Sequence, residues 1–187
     1  TIGIPVPSTE VKCVDENGNE VAIGESGEII ARGPQIMQGY WQKPEETAKT
    51  LKDGWLHTGD IAQMDADGYF TIVDRLKDMI LVNGFNVYPN EIEEEIAAVP
   101  GVLEVGVIGV PDDKTGERVQ AYVKAAIPAP SADEIITHCR TKMTAYKIPK
   151  EIIFVDELPK SPIGKILRRT LLDQAISLSN NSDSKGA

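Results

Sequence analysis

Apolar and polar residues alternate over the first third of the chain, which predicts β structure up to about residue 75. Two short runs, 10–14 and 20–23, flank Asn17-Gly18, a dipeptide that accepts the positive φ angles of a tight hairpin turn. Further strands are predicted over 27–32, 61–64 and 69–73, and a short Pro-initiated helix over 43–51. Residues 1–75 are therefore expected to form a β-rich unit.

Strand and helix patterns alternate from residue 76 onward. β-branched runs predict strands over 79–82, 102–110, 119–126 and 152–155, and apolar residues at helical spacing predict helices over 89–99, 132–143 and 166–176. The Ser- and Asn-rich segment 177–187 is expected to be disordered. The pattern predicts an α+β fold, in which residues 76–176 form a mixed sheet with flanking helices after the β-rich segment 1–75.

Composition narrows the class of protein. The 187 residues are 41% hydrophobic, enough for one ordinary domain or two small ones, and the net charge of -10 argues against nucleic-acid binding. Charge is uneven, because residues 140–170 carry eight basic and three acidic side chains, which favours an anionic ligand there. Cys13 and Cys139 lack metal-ligand spacing, so no metal site is predicted.

The chain begins at Thr1 without an initiator Met or a signal peptide and is interpreted as a fragment of a longer protein. No apolar run approaches the roughly 20 residues needed to cross a bilayer. Any membrane contact is therefore expected to be peripheral, and a cytoplasmic location is the default.

Two charged segments of the β-rich unit are candidates for chemistry. WLHTGD (55–60) is predicted as a loop before a strand, where the Asp60 carboxylate can accept hydrogen bonds from vicinal hydroxyls such as those of a ribose. An Asx-type turn is the alternative. DRLKD (74–78) places four charges at the boundary between the two predicted units, which suits either a solvated joint or a salt-bridged surface turn.

Two loops of the second unit are further candidates. In 82–89, Gly84 can bring the backbone close to a ligand, although a strand-to-helix connection explains it equally well. In 159–165, two Pro and a Gly prevent regular structure, and Lys165 is either a movable cation for a phosphate or carboxylate, or an ordinary exposed lysine. His57 and His138 have no visible nucleophile partner, so a hydrolase triad is not supported.

Three ordered motifs resemble core motifs of the adenylate-forming superfamily of acyl-CoA synthetases, luciferases and peptide-synthetase adenylation domains. They are WLHTGD, DRLKDMILVNGFNVYPNEIEEEI and ELPKSPIGKILRR. The resemblance is to the carboxy-terminal part of that superfamily and covers residues 1–176. Within it, GPQIMQGYWQKPEET, DGWLHTGDIA and LVNGFNVYPNEIE are most similar to bacterial long-chain fatty-acid-CoA ligases.

The resemblance implies an enzyme that joins a fatty acid to ATP as an acyl-adenylate, releasing pyrophosphate, and then transfers the acyl group to coenzyme A, releasing AMP. It implies that Asp60, helped by Arg75, binds the ribose hydroxyls of ATP. It also implies that Lys165 is the catalytic residue, bridging the substrate carboxylate and the α-phosphate during adenylation.

The second half-reaction is implied to depend on movement of residues 76–176. Lys77 occupies the family's hinge position, and the loop with Gly84 and Phe85 is implied to line the channel for the pantetheine arm of coenzyme A. The glycine-rich phosphate loop, the Mg²⁺-binding segment and the acyl pocket of the family precede this sequence, so the fragment alone is expected to be inactive. The resemblance is compatible with a homodimer and with peripheral membrane contact of the intact enzyme.

Two other functions stay open at this point. One is another adenylate-forming ligase, which uses an aryl or medium-chain acid or loads a carrier protein. The other is a non-catalytic binding module, in which the basic segment 140–170 docks a nucleotide or a partner without turnover.

Overall fold

The computed structural model describes residues 1–183, with side chains up to residue 177. The chain divides into two compact units, Thr1–Lys77 and a second unit that begins at Asp78. The predicted α+β class is confirmed, since helices pack on a mixed sheet in the second unit and the first is mainly β structure.

The first unit is built on an antiparallel sheet. Its elements are β1 (Glu10–Val14), β2 (Gly27–Arg32), α1 (Pro44–Thr50), β3 (Leu51–Lys52), β4 (Trp55–Met64) and β5 (Phe70–Arg75). The strand order is β1-β2-β4-β3, and β5 pairs with β4. Its core is small, with a buried cluster of Cys13, Ile29, Ala62 and Phe70.

Strand β4 corrects the prediction that 55–60 is a loop. Ile30 pairs with His57 and Glu28 with Ile61, so β4 has two more residues than β2 between these positions. The extra residues form a bulge around Gly59, whose φ of +73° glycine adopts without steric cost. Local composition suggested a turn because the bulge uses the same residue types as a turn.

The predicted hairpin at Asn17-Gly18 is only partly formed. A single bridge joins Val14 to Glu20, and no strand follows over 20–23 in the described chain. The Asp15 carboxylate accepts hydrogen bonds from the backbone N–H groups of Asn17 and Asn19, at 2.9 and 2.8 Å. These hydrogen bonds to the Asp15 side chain close the turn, in place of the backbone hydrogen bonds between strands that a longer hairpin would have.

The second unit is a three-layer α/β/α arrangement. Its elements are β6 (Ile80–Val82), β7 (Phe85–Val87), α2 (Pro89–Ala97), β8 (Val102–Asp112), β9 (Gly116–Ala125), α3 (Ala132–Lys142), β10 (Glu151–Phe154) and α4 (Arg168–Asp183). Strand β9 pairs antiparallel with β8 and β6 and parallel with β10. The sheet is therefore mixed, as predicted.

Helices cover both faces of this sheet, which explains why the central residues of β8 and β9 are buried on both faces. Val105 and Val107 belong to the larger core, which includes buried residues of α2 and α3. Ile108 and Val110 belong to a second core with Leu171 of α4. A side chain at Gly106 would place its Cβ 2.9 Å from Leu171 Cδ1, so glycine permits the close approach of α4 to β8.

The segment 82–89, predicted as a loop, instead contains a hairpin. Strands β6 and β7 pair across Asn83-Gly84, with Val82 opposite Phe85. Both turn residues have positive φ, +51° and +81°, which is the geometry of a type I′ turn.

Helix α4 starts two residues later than predicted and continues to Asp183, so residues 177–183 are helical rather than disordered. The sequence has no Gly or Pro between 168 and 183 to end the helix. The last part of the predicted disordered tail, 184–187, lies outside the described residues. Among the described residues, no helix is long and apolar enough to cross a bilayer.

Candidate functional site

The two charged candidates of the first unit face each other across paired strands. Asp60 of β4 lies opposite Arg75 of β5, and Arg75 Nε is 3.2 Å from Asp60 Oδ1. The Asp60 side chain is 32% exposed, so its carboxylate is accessible to a ligand. Since an ion pair this exposed contributes little stability, its main effect is to orient the carboxylate.

A threonine, and not Asp60 itself, forms the local turn at the bulge. The Asp60 backbone N–H donates to Thr58 Oγ1 at 3.1 Å, and the Thr58 hydroxyl donates to the Ile29 carbonyl at 2.7 Å. The alternative that the Asp60 carboxylate serves an Asx-type turn therefore does not fit, and this carboxylate can accept hydrogen bonds from outside.

A second carboxylate, which sequence reasoning missed, supports the bulge from β2. Glu28 Oε2 lies 2.7 Å from His57 Nδ1, and Glu28 Oε1 accepts a hydrogen bond from the Gly59 N–H at 3.0 Å. Both side chains are mostly buried, at 16% and 18% exposed. Glu28 thus binds the residues on both sides of Thr58 and fixes the path of the chain before Asp60.

The charged segment 74–78 is not a uniform surface turn. Asp74 is 1% exposed, and its carboxylate accepts a hydrogen bond from the Arg75 N–H at 2.7 Å. Residues Leu76–Asp78 form one turn of 3₁₀ helix, and Lys77 is exposed at the end of the first unit. The interpretation as a salt-bridged surface turn fails at Asp74.

Gly84 and Phe85 lie at the tip of the β6–β7 hairpin. No atom comes within 4 Å of the position that a Cβ on Gly84 would take, so the backbone there is open to a ligand. Phe85 is 55% exposed and stacks on Tyr146, with ring centroids 4.7 Å apart and 16° between ring planes. Tyr146 had no signal in the sequence, because the stacking joins residues 61 positions apart.

Lys165 lies in a short, closed loop that precedes α4. Lys160 and Ile166 form an antiparallel bridge, and the Ser161 N–H donates to the Lys165 carbonyl at 2.8 Å. Ile163 is 89% exposed and Lys165 is exposed. Within the described chain the Lys165 ammonium has no hydrogen bond or ion pair, so it can bind an anionic ligand.

The structure therefore brings Asp60 and Arg75 together in the first unit, and places Gly84, Phe85 and Lys165 on two exposed loops of the second. Among the described residues, no hydrogen bond, ion pair or ring contact joins these two loops. No group of three or more His, Cys, Asp or Glu side chains in the described part is arranged to hold a metal ion.

The sequence of this chain matches known protein families and individual proteins. Residues 91–165 match the AMP-binding enzyme C-terminal domain, and residues 1–41 match the AMP-binding enzyme domain. The long-chain-fatty-acid–CoA ligase of Salmonella typhimurium is 58% identical over 175 residues, which are 94% of this chain and 31% of that protein. The feruloyl-CoA synthase of an Amycolatopsis species is 47% identical over 89% of this chain and 34% of that protein.

A solved structure shares the fold. The ATP-bound MatB from Rhodopseudomonas palustris superposes with a TM-score of 0.85 and 38% identity, over 92% of this chain and 35% of that one. The chain spans about a third of the length of the curated relatives that it matches.

The motifs, the fold and these matches agree, and the chain belongs to the AMP-binding, adenylate-forming family of enzymes. Within that family it is similar to the bacterial long-chain-fatty-acid–CoA ligases.

Proposed function

We propose that the intact protein is an ATP-dependent long-chain fatty-acid-CoA ligase and that this chain supplies its carboxy-terminal part. The observation that carries the proposal is the exposed, unpaired Lys165 ammonium on a closed loop, in a chain 58% identical to a ligase of that name. Fatty acid, ATP and coenzyme A are the proposed substrates.

In the first half-reaction, a carboxylate oxygen of the fatty acid attacks the α-phosphorus of ATP. The new P–O bond forms as the bond to pyrophosphate breaks, which gives the acyl-adenylate. Negative charge develops on the non-bridging α-phosphate oxygens, and the Lys165 ammonium is suited to stabilise it as a compact cation with three donors. Asp60 accepts hydrogen bonds from the ribose hydroxyls while Arg75 holds its carboxylate in place.

In the second half-reaction, the sulfur of coenzyme A attacks the acyl carbon and its thiol proton is released to solvent. The bond from that carbon to the phosphate oxygen of AMP breaks, and AMP leaves. Lys165 has no part in this step, because the rotation of the domain that carries it has by then removed it from the reacting groups. The open backbone at Gly84 and the half-exposed ring of Phe85 are suited to line the channel for the pantetheine arm.

The two steps need different faces of one domain, and a movable domain provides them. We assign residues 76–176 to this mobile C-terminal domain and residues 1–75 to the end of a larger N-terminal domain, with Lys77 as the hinge. The Mg²⁺ that accompanies ATP is proposed to be held by residues of the larger N-terminal domain that precede Thr1.

A second candidate substrate is an aryl acid. It is favoured by the 47% identity to a feruloyl-CoA synthase. Both candidates share the adenylation chemistry, and they differ in the acyl pocket.

Acid-dependent pyrophosphate release by the intact protein tests the proposal, with palmitate, octanoate and an aryl acid, each with and without coenzyme A. We expect release with palmitate and accumulation of palmitoyl-CoA when coenzyme A is present. Preference for the aryl acid would establish the second candidate. Absence of release with every acid would leave a binding module instead.

A further inference from the structure

Charged side chains hold both ends of the loop that carries Lys165. At its start, Lys160 Nζ lies 2.6 Å from Glu104 Oε1 of β8. The bridge between Lys160 and Ile166 closes the loop just inside this ion pair. The start of the loop is thus attached to the sheet by a side chain and not only by its backbone.

At the other end, Arg168 opens α4 and binds α2. Its Nε and Nη2 donate to the two carboxylate oxygens of Glu93, at 3.0 and 2.7 Å. Its Nη2 also donates to Asn90 Oδ1, and its Nη1 lies 3.5 Å from Asp78 Oδ2. Glu93 is fixed in turn, because its Oε1 accepts a hydrogen bond from the Val107 N–H at 2.8 Å. One guanidinium therefore connects the loop, α2 and the first residue of the second unit.

The contact between Arg168 and Glu93 fixes the orientation of both side chains. Arginine binds a carboxylate through two parallel hydrogen bonds, which fix the angle as well as the distance. The side chains of Arg168 and Glu93 are only 14% and 18% exposed, so solvent screens the pair less than a surface pair.

Apolar packing holds the base of the loop and leaves its tip unsupported. Leu158 and the half-buried Ile166 pack with the core beneath α4. Ile163 and Lys165 at the tip are exposed. The direction in which Lys165 projects thus depends on how rigidly the two ends are held.

We propose that Arg168 is a positioning residue for Lys165, and that Lys160 supports it from the opposite end of the loop. This inference rests on the proposed function, in which Lys165 acts in adenylation alone. Arg168 touches no reacting atom in this scheme, and it fixes the origin and the angle of the loop from which Lys165 reaches the carboxylate and the α-phosphate.

The test uses the intact protein with Arg168→Met and, as a matched control, Arg169→Met. Arg169 is an exposed neighbour with the same charge and with no hydrogen bond or ion pair among the described residues. Adenylation is followed as acid-dependent pyrophosphate exchange, and thioester formation is followed from supplied acyl-adenylate and coenzyme A. We expect Arg168→Met to slow adenylation about 100-fold, the scale of a catalytic group misplaced by about 1 Å.

Thioester formation by Arg168→Met, and both steps of the Arg169→Met control, should stay within about threefold of wild type, as for ordinary surface changes. Arg168→Lys keeps the charge but loses the two-pronged contact, so its adenylation rate should lie between those of Arg168→Met and wild type. A purely structural role would predict equal losses in both half-reactions and would overturn the proposal.

The double variant Lys165→Ala/Arg168→Met shows whether Arg168 acts through Lys165. Residues that act as one unit are non-additive, so the double variant should adenylate no more slowly than Lys165→Ala alone. Full adenylation by Arg168→Met, alongside its loss in Lys165→Ala, would overturn this inference and leave the proposed function intact. Full adenylation by Lys165→Ala would overturn both.

If Arg168→Met does not fold, the same two half-reactions are measured for Lys160→Met. The Lys160–Glu104 ion pair is more exposed than the Arg168–Glu93 pair, at 36% and 29% for its two side chains, so its loss should disturb folding less. We expect a smaller loss, again confined to adenylation. An unchanged adenylation rate, or an equal loss in both half-reactions, would overturn the proposal.

Discussion

The candidate groups of the two units are held in different ways. Asp60 and Arg75 project from paired strands, so neither can shift without breaking the backbone hydrogen bonds of β4 and β5. Lys165 projects from a loop whose tip is exposed and whose ends are fixed by side chains. This difference fits the proposed reaction, because the nucleotide must stay bound through both half-reactions, whereas the lysine is needed in one.

The largest expected effect comes from the loop. Lys165→Ala in the intact protein should slow adenylation by about 10³-fold, since it removes a donor aimed at charge that develops in the transition state. Thioester formation from supplied acyl-adenylate should continue. Stopped assays of pyrophosphate release and of CoA-thioester formation measure the two separately.

Lys142→Ala is the matched control, because Lys142 is an exposed lysine of α3 in the same unit. It should leave both half-reactions unchanged. If Lys165→Ala slowed both half-reactions equally, the proposed difference between the loop and the strands would be wrong.

Asp60, which projects from a strand, should affect both half-reactions, whereas Lys165 should affect adenylation alone. Asp60→Asn removes the charge that receives the ribose hydroxyls, and hydrogen bonds to charged groups are worth about 2 kcal/mol, or about 30-fold in affinity. We expect the KM for ATP to rise by about that factor and the affinity for acyl-adenylate to fall similarly, because both ligands carry the same ribose.

Asp67→Asn, in the exposed β4–β5 turn, is the control for Asp60→Asn. An Asp60→Asn effect on adenylation alone would show that this aspartate does not hold the nucleotide throughout the cycle.

Much of the fold follows from local pattern, but identical dipeptides gave different results. Asn17-Gly18 and Asn83-Gly84 both suit a hairpin turn. Only the second lies between paired strands, because β6 and β7 bury Ile80, Val82 and Val87 in the core of the second unit. At the first, the Asp15 carboxylate already satisfies the turn N–H groups. The two Asn-Gly turns differ in whether tertiary packing buries the flanking strands, and the residues next to each turn do not contain that information.

The sequence similarly indicated single site residues but not their partners. The chemistry of their segments makes Asp60 and Lys165 candidates, and the family resemblance implies their roles. The supports Glu28, Tyr146 and Glu93 were not, since each contacts a segment at least 29 residues away. The opposition of Asp60 and Arg75 depends on the register of β4 with β5, which itself shifts between Ile61 and Ala62.

Weakening the support beneath Asp60 should have a moderate effect. Glu28→Gln removes the carboxylate that binds both His57 Nδ1 and the Gly59 N–H. A loss of about 1 kcal/mol, or about fivefold in the KM for ATP, is expected, because the amide can replace only part of this contact.

Steady-state kinetics at varied ATP measure the Glu28→Gln effect, and Glu16→Gln, an exposed turn residue, is the control. A KM equal to that of wild type would mean that the strand ladder alone holds Asp60.

The smallest effect should appear at the start of the Lys165 loop and depend on pH. The hydrogen bond from Lys160 lowers the pKa of Glu104 below its ordinary value of 4.5. A carboxylate with a lowered pKa stabilises the fold above its unfolded pKa, and this contribution is lost as pH falls through the lowered value. The Tm of wild type should therefore exceed that of Glu104→Gln by on the order of 1 °C at pH 6 to 7, since exposed pairs contribute little.

The difference in Tm between wild type and Glu104→Gln should shrink as the pH falls below 4.5, where the wild-type carboxyl also loses its charge. Glu94→Gln, an exposed position on α2, should show no such convergence. A Tm difference that persisted unchanged at pH 3 would show that Glu104 supports the loop by packing. The start of the loop would then be held as rigidly as a strand, and the contrast between the two units would rest on Arg168 alone.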